Sequence, residues 1–159
     1  LMNPNILEIP LYYEKFVAYI SPDEAIYEKK ELVASDLPVD HLWVLEEGHC
    51  LRNQVFNFCV KDMKISYAYE AGSIETLIKI VDENGGYTVI PELHLELLTE
   101  EQKKNVRKLI DPEPVREISL IIQQNFIREG QLNAVADTIK KIIPQEMLDS
   151  RLKKFAIKI

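Results

Sequence analysis

Gly48-His49-Cys50-Leu51-Arg52-Asn53-Gln54-Val55-Phe56-Asn57-Phe58-Cys59 follows the apolar run His41-Leu42-Trp43-Val44-Leu45 across the turn Glu46-Glu47-Gly48. The run predicts a buried strand and the longer stretch predicts a helix, so a strand–turn–helix unit is expected here. On that helix Leu51, Val55, Phe58 and Cys59 fall at i, i+4, i+7 and i+8 and form one apolar stripe. Cys50, Asn53, Gln54 and Asn57 fall on the polar side. Cys50 is therefore expected to be accessible at the helix N-terminus, where unpaired N–H groups and the helix dipole favour a thiolate. Cys59 is expected to be buried. Nine residues of helix place the two about 13–14 Å apart on opposite faces. A disulfide needs Cα atoms within about 7 Å. If these cysteines bond, the helix between them must come apart.

Working outward, the same alternation of strand and helix recurs. Ile6–Ile9 is a short apolar stretch ended by Pro10, and Lys15–Ser21 reads as a buried strand. Ser21 caps a short helical turn opened by Pro22-Asp23-Glu24. Lys64–Tyr69 alternates as a strand. Ser73 caps a helix striped by Ile74, Leu77, Ile78 and Val81, which Gly85-Gly86 terminates. Tyr87–Ile90 is a strand ended by Pro91, Leu93–Leu98 a short helix, and Pro112–Pro114 a hinge-like stretch. Glu117–Ile122 is an apolar strand, followed by a helix striped by Leu132, Val135, Ala136, Ile139 and Ile143. Beyond about residue 144 the chain is more charged, with Leu148, Leu152 and Phe155 at helical spacing. Strands alternating with helices predict an α/β fold with a mainly parallel sheet.

Composition narrows the function. The 159 residues are 47% hydrophobic and 28% charged, which suits a soluble globular chain with one core, or one core split over two lobes. A formal net charge of −7 repels nucleic acid, and no Lys/Arg cluster interleaved with aromatics offsets it. This chain alone is not expected to bind DNA. No apolar run approaches about 18 residues, so no transmembrane helix is expected. Leu1-Met2-Asn3-Pro4 shows no secretory signal, and a chain that opens this way reads as an internal fragment. Two cysteines make no disulfide scaffold, and a reducing cytosol would keep them reduced at rest.

Several chemistries fit the cysteines. Two core cysteines would suit Cys59 and suit Cys50 badly, since Cys50 starts a helix on its polar side next to His49. Zinc would call for short Cys-x-x-Cys or His-x₃₋₅-His units, and a thioredoxin-type site for Cys-x-x-Cys; neither spacing occurs. His49 could steady a thiolate or hydrogen-bond an oxidant, or simply satisfy the turn. His41 and His94 read as structural. Arg116 is a candidate cation for a thiolate or sulfenate, or a solvated surface arginine. Neither a phosphate loop, nor a Gly-x-Ser-x-Gly elbow, nor a His-Glu-x-x-His unit is present.

The segment Leu45-Glu46-Glu47-Gly48-His49-Cys50-Leu51-Arg52-Asn53-Gln54, with Phe58-Cys59, resembles the hydrogen-peroxide-sensing OxyR branch of the LysR-type transcription regulators. Ile9-Pro10-Leu11, Ala71-Gly72-Ser73-Ile74-Glu75-Thr76-Leu77, Gly86-Tyr87-Thr88-Val89-Ile90-Pro91 and Glu113-Pro114-Val115-Arg116 match in the same order. Together they cover residues from about 6 to 143. Asn53 stands where the family often has aspartate, and Gly72 where threonine is common.

The resemblance implies a LysR-type effector domain, similar to type II periplasmic binding proteins, with two Rossmann-like subdomains, the first incomplete here. It divides the chain into 1–15 (end of the first subdomain and crossover), 16–118 (second subdomain with the cysteines) and 119–159 (return segment and tail). The first half of the first subdomain would be absent, along with threonines that help bind peroxide in the family. The resemblance also implies roles. Cys50 would be oxidised by hydrogen peroxide to a sulfenic acid, and Cys59 would condense with it to a disulfide. His49 would help bind peroxide and Arg116 would favour the anionic sulfur. The expected protein is a cytoplasmic sensor rather than an enzyme, with no cofactor, metal or membrane partner. It would work as a homodimer, with a tetramer in the full-length protein. DNA and RNA polymerase would be reached only through the full-length protein, and glutaredoxin or thioredoxin would reduce the disulfide. A thiol peroxidase and an effector domain for a small organic ligand are the rival readings.

Overall fold

A computed structural model describes residues 5–59 and 69–157. The chain forms two compact units, one from residues 1–14 and 115–156, the other from 15–114 and 157–159. The dividing points fall at Glu14/Lys15, inside a strand, and immediately after Pro114.

That strand, β1 (Ile6–Ile20), begins in one unit and ends in the other. It runs through Pro10, contrary to the expected stop. Pro10 is exposed, and a missing N–H is tolerated in such a position.

In the larger unit β1 is flanked by β5 (Tyr87–Pro91) and β6 (Val106–Leu109), both antiparallel to it. A two-residue strand, β2 (Glu31–Leu32), extends the sheet parallel to β6. On the other side β3 (Trp43–Leu45) pairs in parallel with β4 (Tyr69–Ala71), and a parallel bridge from Leu42 to Tyr87 sets β3 beside β5. The order is β4-β3-β5-β1-β6-β2. Five strands share one direction and only β1 opposes them, so the sheet is mainly parallel as expected, with one reversed strand. β1 places Phe16, Ala18 and Ile20 in one apolar cluster and Val17 and Tyr19 in another, so both faces of the sheet are covered.

The helix α1 spans Cys50–Cys59 and α2 spans Ile74–Asn84. Ser73 caps α2, its Oγ accepting from Thr76 N at 3.2 Å, and Gly85 (φ +79°) ends it. Gly86 (φ +83°) has no room for a side chain: a Cβ would lie 2.7 Å from the His41 carbonyl oxygen. The short helix α3 (Glu100–Lys103) carries a capping box between Thr99 and Gln102. Three expectations shift. The strand expected from His41 starts at Trp43, after a 3₁₀ turn over Val39–His41. The helical turn after Ser21 forms as 3₁₀ over Ala25–Glu28. The short helix near 93–98 is 3₁₀ over Glu92–Leu97. Of the strand expected over Lys64–Tyr69, only Tyr69 lies within the described residues.

In the smaller unit β7 (Val115–Gln123) pairs with β1. Gln124 N donates to Asn5 O at one end, and Arg116 meets Glu14 at the other, so the two strands run antiparallel. The helix α4 (Glu129–Ile142) contains no buried residue; Val135, expected on its apolar stripe, is exposed. The helical spacing beyond residue 144 is realised as two 3₁₀ turns, Gln145–Leu148 and Ser150–Phe155, anchored by buried Met147.

Candidate redox site

The site grows out of β3. Past Leu45 the chain turns through Glu46–His49, with His49 N donating to Glu46 O at 3.4 Å and Gly48 at φ +100°. That backbone favours glycine although open space surrounds the position. The turn is tied to the sheet because Glu46 N donates to Ala71 O at 3.0 Å. α1 then starts at Cys50, and the His49 carbonyl accepts from Arg52 N at 3.1 Å.

Cys50 is exposed with a free thiol at the first position of the helix, and His49 is exposed beside it. Cys59 closes the same helix. Nine residues at about 1.5 Å each put their backbones about 13.5 Å apart along its axis. The expected burial of the Cys59 side chain lies outside what the structure describes.

Two features of α1 differ from the reading of its sequence. Gln54, expected on the polar side, is 5% exposed, close to Leu51 at 6% and Val55 at 4%. Gln54 is thus buried together with Leu51 and Val55, beside the partly buried Phe58, so among the described side chains the inward arc includes Gln54. The second feature is Arg52. Its Nη1 donates to the Leu45 carbonyl at 3.1 Å and to Glu70 Oε1, and its guanidinium carbon sits 4.9 Å from the centre of the Phe56 ring. Glu70 reaches it because β4 sets Glu70 beside Val44. Arg52 thus clamps the first turn of α1 to both strands beneath it.

The other candidates are placed as follows. His41 Nδ1 lies 2.9 Å from Glu24 Oε2, and Glu24 Oε1 accepts from Gly86 N at 3.0 Å, which gives His41 a structural setting. His94 lies in the 3₁₀ turn Glu92–Leu97. Arg116 belongs to the smaller unit, where its Nε and Nη2 both contact Glu14 Oε2, at 2.8 and 2.7 Å. Glu14 is fully buried, a partner that no local signal in the sequence indicates, since the two are 102 residues apart. Next to it, burial and a hydrogen bond with Glu117 push Tyr13 up to about 12. Among the described residues no group of three or more His, Cys, Asp or Glu is placed to hold a metal ion. No helix among them is long and apolar enough to cross a membrane.

A parallel α/β sheet with one reversed crossover strand, carrying a free thiol on a strand–turn–helix unit, defines the class. Residues 2–142 match the LysR substrate binding domain model, and the chain belongs to that family. Several of the relatives it matches are named hydrogen peroxide-inducible genes activators. The chain is 32% identical over 144 residues to the hydrogen peroxide-inducible genes activator of Haemophilus influenzae, covering 86% of this chain and 47% of that protein. It is 30% identical over 137 residues to the DNA-binding transcriptional dual regulator OxyR of Escherichia coli K12, covering 84% and 44%. It superposes on reduced OxyR from Porphyromonas gingivalis with a TM-score of 0.83 at 31% identity, covering 98% of this chain and 71% of that one. The chain thus spans just under half the length of these two curated relatives.

Proposed function

We propose that this chain is the redox-sensing regulatory region of a peroxide-responsive transcription regulator. The observation that carries the reading is the placement of Cys50, an exposed free thiol at the N-terminus of a helix that ends in the second cysteine. Oxidation proceeds in two balanced steps. The Cys50 thiolate attacks one oxygen of hydrogen peroxide, the O–O bond breaks, and the departing hydroxide takes a proton to leave as water. The resulting sulfenic acid is attacked by the Cys59 sulfur, an S–S bond forms, and a second water leaves. Two thiols lose two electrons and one peroxide gains them.

In this reading His49 helps hold the peroxide. Forming the disulfide requires α1 to unwind, because about 13.5 Å of helix must contract to less than about 7 Å. A covalent bond thereby selects between two arrangements of a local element. The change is transmitted through a homodimer, and in the full-length protein to DNA and RNA polymerase. Glutaredoxin or thioredoxin resets it. The protein acts as a sensor, reacting quickly once and being reduced slowly, rather than as a thiol peroxidase with sustained turnover.

The test is mass spectrometry of thiol state after stoichiometric peroxide. The expected products are a Cys50–Cys59 disulfide in the parent, a trappable sulfenic acid at Cys50 in Cys59→Ser, and no reaction in Cys50→Ser. Oxidation of Cys59 first, or no reaction at micromolar peroxide, would overturn the reading. Sustained peroxide consumption with a reductant would favour the peroxidase.

A further inference from the structure

At the β2–β6 edge, the sheet of the larger unit is closed on one face and open on the other. Glu31 stands opposite Lys108 there, and Leu32 opposite Leu109. Side chains alternate between faces along a strand, so Leu32 and Leu109 project to one face and Glu31, Val106 and Lys108 to the other. Leu32 and Leu109 are buried, in the same apolar cluster as Leu51 and Val55 of α1. Val106 is only half-buried, and with Leu95 it packs against Val17, Tyr19 and Ile78 on the opposite face. A cavity of about 760 Å³ opens there, within the larger unit and across the sheet from the cysteine helix.

Its lining has two parts. Leu95, from the 3₁₀ turn Glu92–Leu97, and Val106 supply an apolar floor. Lys30, Lys103 and Lys108 bring ammonium groups from three separate places: the residue before β2, the end of α3, and β6. Glu31 and Glu96 complete the lining, so its balance is positive on a chain whose formal net charge is −7. Neighbouring cations are engaged elsewhere, Lys29 with Asp36, Lys104 with Glu101, and Arg107 with the Tyr27 carbonyl. Lys103 also bonds Glu100 at 2.7 Å, an exposed pair of the weak kind that a ligand carboxylate can replace. Lysine stems lie along apolar surface while their ammonium heads stay in water. Such a lining suits a ligand whose apolar body rests on the floor and whose negative charge stays at the rim. The volume falls in the range of small-molecule sites, about 300–1,000 Å³.

We infer that this cavity is a binding site for a small amphipathic anion, an apolar body carrying one carboxylate, held over Leu95 and Val106 with its charge among Lys30, Lys103 and Lys108. Burial of the body supplies the affinity, and the lysine rim selects the sign of the charge. The site is separate from the redox chemistry. Reduced protein suffices to test it, and its failure leaves the Cys50–Cys59 reading where it stands.

The experiment is isothermal titration calorimetry of the full-length reduced protein with octanoate, 1-octanol, octylammonium and acetate. The last three remove the charge, reverse it and remove the body. Octanoate is expected to bind saturably in the millimolar range or tighter, and each of the others about tenfold more weakly. Reversing two rim charges in Lys30→Glu/Lys108→Glu is expected to weaken octanoate by about tenfold, with each single variant read if the double variant does not fold. Octanoate carrying a terminal diazirine, photolysed in the complex and located by mass spectrometry, is expected to label the segments around Leu95 and Val106. No saturable binding of octanoate overturns the proposal, as does equal binding of 1-octanol or octylammonium. Unchanged affinity in the charge-reversed variants, or labelling confined to other segments, overturns it as well. Binding of a glutamate-rich peptide by the same lysines, with none of octanoate, overturns it in favour of a protein partner.

Discussion

The helices α1 and α2 are nearly the same length and belong to the same unit, yet they are built to opposite ends. α2 is secured at every point. Ser73 caps its start, Glu75 complements its dipole, Gly85 closes it, and Leu77, Ile78 and Val81 are buried. Its polar Asp82 is engaged as well, accepting from the Tyr19 hydroxyl and from Gln102 Nε2. α1 has two buried aliphatic residues, one clamp and one buried carbonyl with no partner among the described residues. The contrast teaches that a period of 3.6 specifies a helix and says nothing of how firmly it is held. In this molecule the helix bearing the reactive thiol has no acidic residue in its first turn, whereas α2 has a side-chain cap and Glu75 there.

The strongest way to break the comparison is to cut the same side chain from each helix. Leu77→Ala is expected to lower the global stability of the larger unit by about 2–5 kcal/mol in urea unfolding. Leu51→Ala removes an equivalent group and is expected to free the amides of α1 while the remaining sheet keeps its protection. Equal global losses would show that α1 is as integral to the unit as α2. Arg52→Gln tests the clamp. Leaving the Leu45 carbonyl without this donor is expected to cost α1 about 1–2 kcal/mol and to accelerate disulfide closure, read by stopped-flow oxidation. On the other helix Ser73→Ala is expected to cost about 1 kcal/mol, fraying the start of α2 with no change in the rate at which peroxide oxidises Cys50.

The smallest effect separates the helices by pH. Backbone N–H bonding and the Ser73 side chain hold Glu75 below the usual carboxylate range. A depressed carboxylate stabilises the fold above its unfolded value of 4.5, and that contribution is lost as the pH falls through the folded value. Protection of α2 is therefore expected to weaken on acidification below about pH 4.5, and Glu75→Gln to remove that dependence. α1, with no acidic residue in its first turn, is expected to show none from this source.

What was legible in the sequence follows the same division. α2 could be read almost residue by residue, because its cap, stripe and terminating glycines are local signals that act within a turn or two. The strand–turn–helix unit at Leu45–Cys59 and the exposure of Cys50 were legible for the same reason. The burial of Gln54 was not, because the arc of α1 that faces inward is chosen by its seat on β3 and on the 3₁₀ turn Ala34–Asp36, which only long-range packing brings to it. Pro10 read as a stop, although its exposed position lets the strand continue. The Arg52 clamp needed Glu70, which only the parallel register beside Val44 brings within reach.

By itself, the sequence determined the elements, the alternation that makes the sheet mainly parallel, and the nine-residue spacing that forbids a disulfide across an intact helix. Those follow from short-range sterics, capping and periodicity. Tertiary structure alone decided that β1 opposes its neighbours, that Glu14 captures Arg116, and that Gln54 is buried. Each depends on which distant surfaces meet, and burial, unlike periodicity, is a property of that meeting.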